Sequence, residues 1–174
     1  MDLGKDLYEA AERGDIEQAT AALDAGADVN WRKVDYASWA PLHAASRNGH
    51  EAAVRLLIER SADVNAASSR NTPPLHPAVE NGHAPIVHLL LENEANVNAA
   101  DLNNFNALHY AAYFKHTAIA ELLLLRGADA TLVSVRHILS TNCKCLRDAD
   151  PVYRRSRGAE EHQSRSPETL KSLG

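Results

Sequence analysis

The residues best equipped for chemistry lie together in Pro41-Leu42-His43-Ala44-Ala45-Ser46-Arg47-Asn48-Gly49-His50, which holds two histidines, a hydroxyl and a carboxamide. Histidine titrates near neutral pH and is the commonest side-chain metal ligand. A general base, or part of a metal site, is the chemistry such a stretch offers. Either role needs several side chains to converge on one point. The rest of the chain decides whether these do.

They recur. Leu42-His43, Leu75-His76 and Leu108-His109 stand 33 residues apart, and His50, His83 and His116 keep the same period. Asp63-Val64-Asn65 and Asn96-Val97-Asn98 are also 33 apart, while Asp28-Val29-Asn30 precedes its copy by 35. A fixed period of this length marks a stacked-repeat architecture, in which each unit is too small to bury a core alone. Repeated positions form a ladder with rungs about 10 Å apart, the distance between packed helices. Six of the nine histidines stand on two such ladders and are therefore expected to be structural. His88, His137 and His162 fall outside the pattern and are expected at the surface.

The repeated unit resembles the ankyrin repeat, whose pattern is D-x-x-G-x-T-P-L-H-x-A-A-x-x-G-H, an apolar helix, then G-A-D-V-N. The fullest copies read APLHAASRNGHEAAVRLLIERSADVN (40–65) and PPLHPAVENGHAPIVHLLLENEANVN (73–98). NALHYAAYFKHTAIAELLLLRGADA (106–130) has Lys115 at the motif glycine. LYEAAERGDIEQATAALDAGADVN (7–30) lacks the leading finger and carries Tyr8 and Asp15 at the two histidine positions. Terminal repeats of a stack are expected to be atypical. The resemblance covers about residues 4–131. It implies an all-α ankyrin-repeat solenoid of stacked helix-turn-helix units with β-hairpin fingers. The domain is expected over residues 1–131, with repeats at about 4–30, 31–65, 66–98 and 99–131. It also implies that the inner-helix histidine hydrogen-bonds backbone of adjacent turns and repeats. Asp35 takes the loop aspartate position, which places the two extra residues of the first junction within Trp31-Arg32-Lys33-Val34.

Local chemistry agrees with these elements. Pro41 and Pro74 fall at the first turn of the inner helices, where a missing N–H is harmless. Val54, Leu57 and Ile58, then Ile86, Leu89 and Leu90, then Ile119, Leu122 and Leu123 lie at helical spacing on the outer helices. Gly26 and Gly127 stand where a left-handed residue closes a helix, and Ser61 and Glu94 replace them in the middle repeats. A positive φ there costs each about 1 kcal/mol. Pro77, inside an inner helix but near its start, is expected to cost less than the ~3 kcal/mol of a mid-helix proline.

Other function classes find little support. Residues 1–131 hold 10 Lys or Arg and 18 Asp or Glu, a net of −8, while 132–174 carry +3. An acidic front portion argues against nucleic acid as the partner, because phosphate contacts need a basic face. No stretch approaches the ~18 apolar residues of a membrane span, and the charged N-terminus is no signal peptide. An intracellular, cytoplasmic or nuclear, monomer is the expectation. Cys143 and Cys145 are too close for an ordinary disulfide and lack a second pair for zinc. No phosphate-cradling glycine loop, G-x-S-x-G or H-E-x-x-H is present. Neither enzyme activity, metal nor cofactor is expected. Within the tail, 132–140 is apolar enough for one helix, the Arg154, Arg155 and Arg157 cluster reads as solvated, and the polar stretch beyond Asp150 reads as disorder.

The resemblance implies that a partner protein binds the finger tips and the concave face of the inner helices. The variable positions there hold Tyr36, Ala37, Trp39, Ala44 and Arg47 in one repeat, Ser69, Arg70, Thr72, Pro77 and Glu80 in the next, and Leu102, Asn103, Phe105, Tyr110 and Tyr113 in the third. Five of the chain's nine aromatics fall among these fifteen positions, and aromatic and Arg anchors dominate binding hot spots. The expected partner-binding set is Tyr36, Trp39, Arg47, Arg70, Glu80, Leu102, Asn103, Phe105, Tyr110 and Tyr113. The competing expectation is that Trp39 and Phe105 only pack between neighbouring fingers. Two other roles follow from the resemblance. One is an adaptor in a larger complex such as a ubiquitin ligase, docked through 132–150. The other is a substrate role, with hydroxylation of Asn65 in its Leu57…Asp63-Val64-Asn65 context.

Overall fold

The computed structural model describes residues 2–35 and 37–130. Among them run eight helices and no strand: α1 (Leu3–Arg13), α2 (Ile16–Asp24), α3 (Pro41–Asn48), α4 (Glu51–Glu59), α5 (Leu75–Glu80), α6 (Ala84–Glu92), α7 (Ala107–Tyr113) and α8 (Thr117–Leu125). Consecutive helices pack as hairpins. α1, α3, α5 and α7 stack into an inner layer, and α2, α4, α6 and α8 into an outer one. The helix expected over 132–140, the polar stretch beyond Asp150, the two cysteines and Arg154, Arg155 and Arg157 lie outside the described residues, as does Tyr36.

Three of the eight helices start on a side-chain cap. The Asp2 and Asp15 carboxylates accept from the backbone N–H of Lys5 and Gln18 at 3.2 and 3.0 Å, satisfying donors that a helix leaves open at its first turn. Asn106 does the same for His109 at 3.1 Å. Pro41 opens α3. Pro77 is the third residue of α5, so the N–H it lacks is one that an α-helix leaves unpaired anyway. Its expected cost is thereby removed.

Between the layers, Leu42, Leu75 and Leu108 occupy one register on the inner helices and are fully buried. Val54 and Leu57, Ile86 and Leu90, and Ile119 and Leu123 meet them from the outer helices. Full burial of such a side chain stabilises by about 1.5–3 kcal/mol. Ile58 and Leu122, expected in this seam, are only partly buried. Ser61 and Glu94 have φ of 65° and 64°, matching Gly26 and Gly127 at 93° and 85°. The left-handed closure is thus kept in the middle repeats despite the Cβ.

The fingers are short hairpins, each closed between its arms by one backbone bond beside a turn bond nearer the tip, too little for a strand ladder. Ser68 donates to the Thr72 carbonyl (3.1 Å) and Asp101 to Phe105 (2.9 Å). The first finger closes from Lys33 to Trp39 (3.0 Å) and is two residues longer. In the last finger, Asp101 both closes the backbone and accepts from the N–H groups of Asn103 and Phe105, each at 2.8 Å. In the first finger these tasks separate: Lys33 closes it, while Asp35 accepts from Ala37 and Ser38 at 2.9 and 3.1 Å. Asp35 keeps the aspartate's role, so the extra pair is Lys33 and Val34, within the expected 31–34 and inside the hairpin that Lys33 closes. Adjacent fingers join through Ser69 N–H to Ala37 (3.0 Å) and Leu102 N–H to Arg70 (3.1 Å).

Three glycines show how tightly the repeats nest. Gly14, Gly49 and Gly82 follow the inner helices with φ of 72°, 79° and 76°. A Cβ on them would stand 2.6, 2.7 and 2.8 Å from the rings of His50, His83 and His116 in the next repeat. The glycine therefore supplies both a left-handed backbone and room for the following repeat's imidazole. Lys115 occupies that place in the last described repeat at φ 62°, and no histidine of a further described repeat packs there. Gly82→Ala is expected to combine backbone strain with this collision and lower unfolding free energy by about 2–4 kcal/mol. Gly26→Ala, with nothing within 4 Å, should cost about 1 kcal/mol. Urea denaturation of both variants checks this; equal losses would remove the ring contact from the explanation.

Candidate functional site

The histidines form two ladders. On the inner helices, His43 Nδ1 accepts from the Ala40 N–H at 3.2 Å and His109 Nδ1 stands 3.1 Å from the Asn106 N–H. His43 Nε2 lies 3.0 Å from the Thr72 carbonyl, and His76 Nε2 lies 3.0 Å from that of Ala99, each reaching toward the next repeat. With Nδ1 accepting, His43 must carry its proton on Nε2. His76 Nδ1 has no partner, because the residue matching Ala40 is Pro73, which has no N–H. On the second ladder, His50, His83 and His116 place Nε2 at 3.1, 2.9 and 3.1 Å from the carbonyls of Glu12, Arg47 and Glu80. Each of those carbonyls ends the previous inner helix. The imidazoles bond backbone rather than one another, and no group of three metal-ligating side chains stands together among the described residues.

Asparagines run a third ladder. The Asn30, Asn65 and Asn98 side-chain oxygens accept from the N–H groups of Asp63, Asn96 and Asp129 at 2.8, 2.7 and 2.7 Å. The Asn65 amide also donates to the Glu94 carbonyl at 3.1 Å. Both ends of the Asn65 carboxamide are therefore engaged in joining repeats. His88, expected at the surface, is exposed there and 3.2 Å from Glu92.

Other candidate residues lie on the fingers and the inner helices. Trp39 stacks on His43, with ring centroids 5.8 Å apart and planes 24° apart. Phe105 stacks on His109 at 5.1 Å and 16°. Both rings cover their own repeat's histidine. The Arg47 guanidinium stands 5.4 Å from the Trp39 ring centroid, within cation–π range. Arg70 and Leu102 lie exposed on their fingers, Leu102 72% so. Tyr110 is half-buried, lies 5.2 Å from His76 and donates its hydroxyl to Asp101 at 2.8 Å. Burial alone would raise the Asp101 carboxyl. The Phe105 N–H, the Tyr110 hydroxyl and the Asn103 N–H together hold it below its ordinary value. Burial, then the hydrogen bond to Asp101, pushes the Tyr110 phenol up.

Five of these residues meet. Glu80, Asn103, Phe105, Tyr110 and Tyr113 line a cavity of about 380 Å³, together with His109 and Phe114. Trp39 and Arg47 are not part of it. Phe114 was not among the expected residues. It stacks on His116 at 6.2 Å and packs edge-on against Tyr113 at 5.0 Å. Its position just before Lys115, where other repeats carry Asn48 and Asn81, was the available signal. A second cavity, about 520 Å³, lies at the N-terminal end between α1 and the first finger, where Trp31 and Lys33 approach Tyr8.

A sequence profile described as ankyrin repeats in three copies matches residues 7–101 and 67–134. The chain belongs to the ankyrin repeat family. A 65-residue stretch is 38% identical to protein phosphatase 1 regulatory subunit 12A of Mus musculus, and equally to that of Rattus norvegicus. The match covers 37% of this chain and 6% of each relative. Among the described residues no helix is long and apolar enough to cross a membrane.

The ankyrin histidines also set the pH response. Burial lowers His43 and His76 to about 4, and lowers His109 as well. The unfolded chain takes protons on these rings from about pH 6.5 downward, whereas folded His43 and His76 take them only near 4. Across that window the unfolded state holds more protons, so stability falls as pH falls. Each such proton contributes about 1.4 kcal/mol per pH unit. Urea titrations at pH 7.5, 6.0 and 5.0 should show unfolding free energy dropping below pH 6.5, less steeply in His76→Gln. A pH-independent value across that range would contradict neutral, buried rings.

Proposed function

We propose that this ankyrin stack is a protein-binding module that receives its partner on the finger tips and the concave face of α5 and α7. The observation that carries the reading is the gathering of Phe105, Tyr110, Tyr113 and Phe114 around one open cavity. Tyr113 is 66% exposed, and clustered exposed aromatics mark contact surfaces. The rings are preorganised: Phe105 is held by His109 and Tyr110 by Asp101, so little side-chain freedom is lost on binding. Trp39 with Arg47, and Arg70 and Leu102 on their fingers, extend the same face. A relative named as a regulatory subunit supports binding rather than catalysis, and no reaction is assigned.

Tyr113→Ser combined with Leu102→Ser removes exposed contacts without touching the core. The double variant should melt within about 0.5 kcal/mol of the parent and lose at least tenfold in capture of the proteins that the parent retains. Leu56→Ser, on the outer helix α4, should leave capture unchanged. Undiminished capture by the double variant, or equal loss with Leu56→Ser, would overturn the assignment.

A further inference from the structure

The stack contains its own example of what its aromatic register holds. Trp39 and Phe105 occupy the same repeat position, two periods apart, and each stacks on its own inner-helix histidine. Over Trp39 lies a guanidinium, that of Arg47. The position matching Arg47 in the Phe105 repeat is Tyr113. There the chain supplies no cation of its own at that register. In its place are a cavity, more rings and the Glu80 side chain. Glu80 is itself at the Arg47 register of the intervening repeat, is exposed, and forms no ion pair among the described residues.

We propose that this cavity takes one arginine side chain from a partner polypeptide, its guanidinium against Phe105, Tyr110 and Tyr113 and paired with Glu80. The inference rests on the docking-face reading above and gives it a chemistry. Aromatic faces carry negative quadrupole charge and attract cations, more strongly where water is excluded. A carboxylate at the rim supplies the paired hydrogen bonds that a guanidinium matches. A planar, weakly hydrated guanidinium suits stacking better than a compact, strongly hydrated ammonium. The net charge of −8 over residues 1–131 favours approach of a basic segment. At about 380 Å³ the cavity is in the range of small-ligand sites, ample for one side chain.

The test is a titration of the ¹⁵N-labelled full chain, at physiological salt, with acetyl-Gly-Ser-Arg-Ser-Gly-amide and with its citrulline and norleucine counterparts. Citrulline keeps the shape and loses the charge. The arginine peptide should shift the backbone amides of Asn103, Phe105, Tyr110 and Tyr113 with a saturating curve. Citrulline should bind at least tenfold more weakly, and so should the arginine peptide to Glu80→Gln and to Tyr113→Ala. Citrulline or norleucine binding there as well as arginine would overturn the cation assignment and leave the docking face standing. Shifts confined to other acidic surfaces, or no shifts, would also overturn it, with the docking face judged by the capture experiment. If the peptide binds only after Arg154, Arg155 and Arg157 are changed to glutamine, the chain's own basic cluster fills the cavity and the partner assignment is wrong.

Discussion

The structure depends on one repeated hydrogen bond, from the imidazole of one repeat to a backbone carbonyl beyond it. Thirty-three-residue units cannot fold alone, and apolar contact between helices does not fix how far one unit is rotated on the next. A directional bond does. His43 to Thr72 and His76 to Ala99 set the inner edge. His50 to Glu12, His83 to Arg47 and His116 to Glu80 set the junction between inner and outer helices. Such bonds each contribute only about 1 kcal/mol net. On the inner ladder removal costs more, because it also empties the place of a fully buried ring.

Several odd features of the sequence follow from that bond. The His43 ring must be neutral for its Nδ1 to accept, and burial favours the neutral form there and at His76. The preceding repeat must yield space, which is why glycine stands at 14, 49 and 82. Where a proline removes the local donor, at Pro73, the His76 Nδ1 is left unpaired, an internal flaw of order 1–3 kcal/mol. The same rungs hold the surface. Trp39 and Phe105 lie flat on the ladder histidines, so the geometry of the proposed docking face is inherited from the packing beneath it. Aromatics held in this way lose little freedom when they are covered.

Most of the fold was legible because the repeat multiplies weak signals. One Leu-His pair says little, whereas three at one period with Asp-Val-Asn in phase specify helix, turn and stacking together. Left-handed Ser61 and Glu94 were readable by alignment with Gly26 and Gly127. Single-copy features were less so. The extra length of the first finger was legible as an insertion, but its place inside the hairpin depended on Lys33 and Asp35 dividing what Asp101 does alone. At the candidate site, exposed positions could be named from the period, yet the cavity around Phe105 and Tyr113 could not. It needs Phe114, at a position where the earlier repeats carry asparagine. Which rings of one repeat meet is a matter of side-chain rotamer, whereas Trp39 lies away from the others because it stands two repeats earlier in the stack.

The claim that the histidines are structural rungs, neutral at His43 and His76, is tested most directly by where their rings carry protons. Long-range ¹H–¹⁵N correlation spectra of the full chain at pH 7 report which ring nitrogen carries the proton. His50, His83 and His116 should carry a proton on Nε2, facing the carbonyl each bonds, and His43 and His76 should do so as neutral rings down to about pH 5. An imidazolium at His43 or His76 at pH 7, or a proton on Nδ1 of His43, would contradict the ladder.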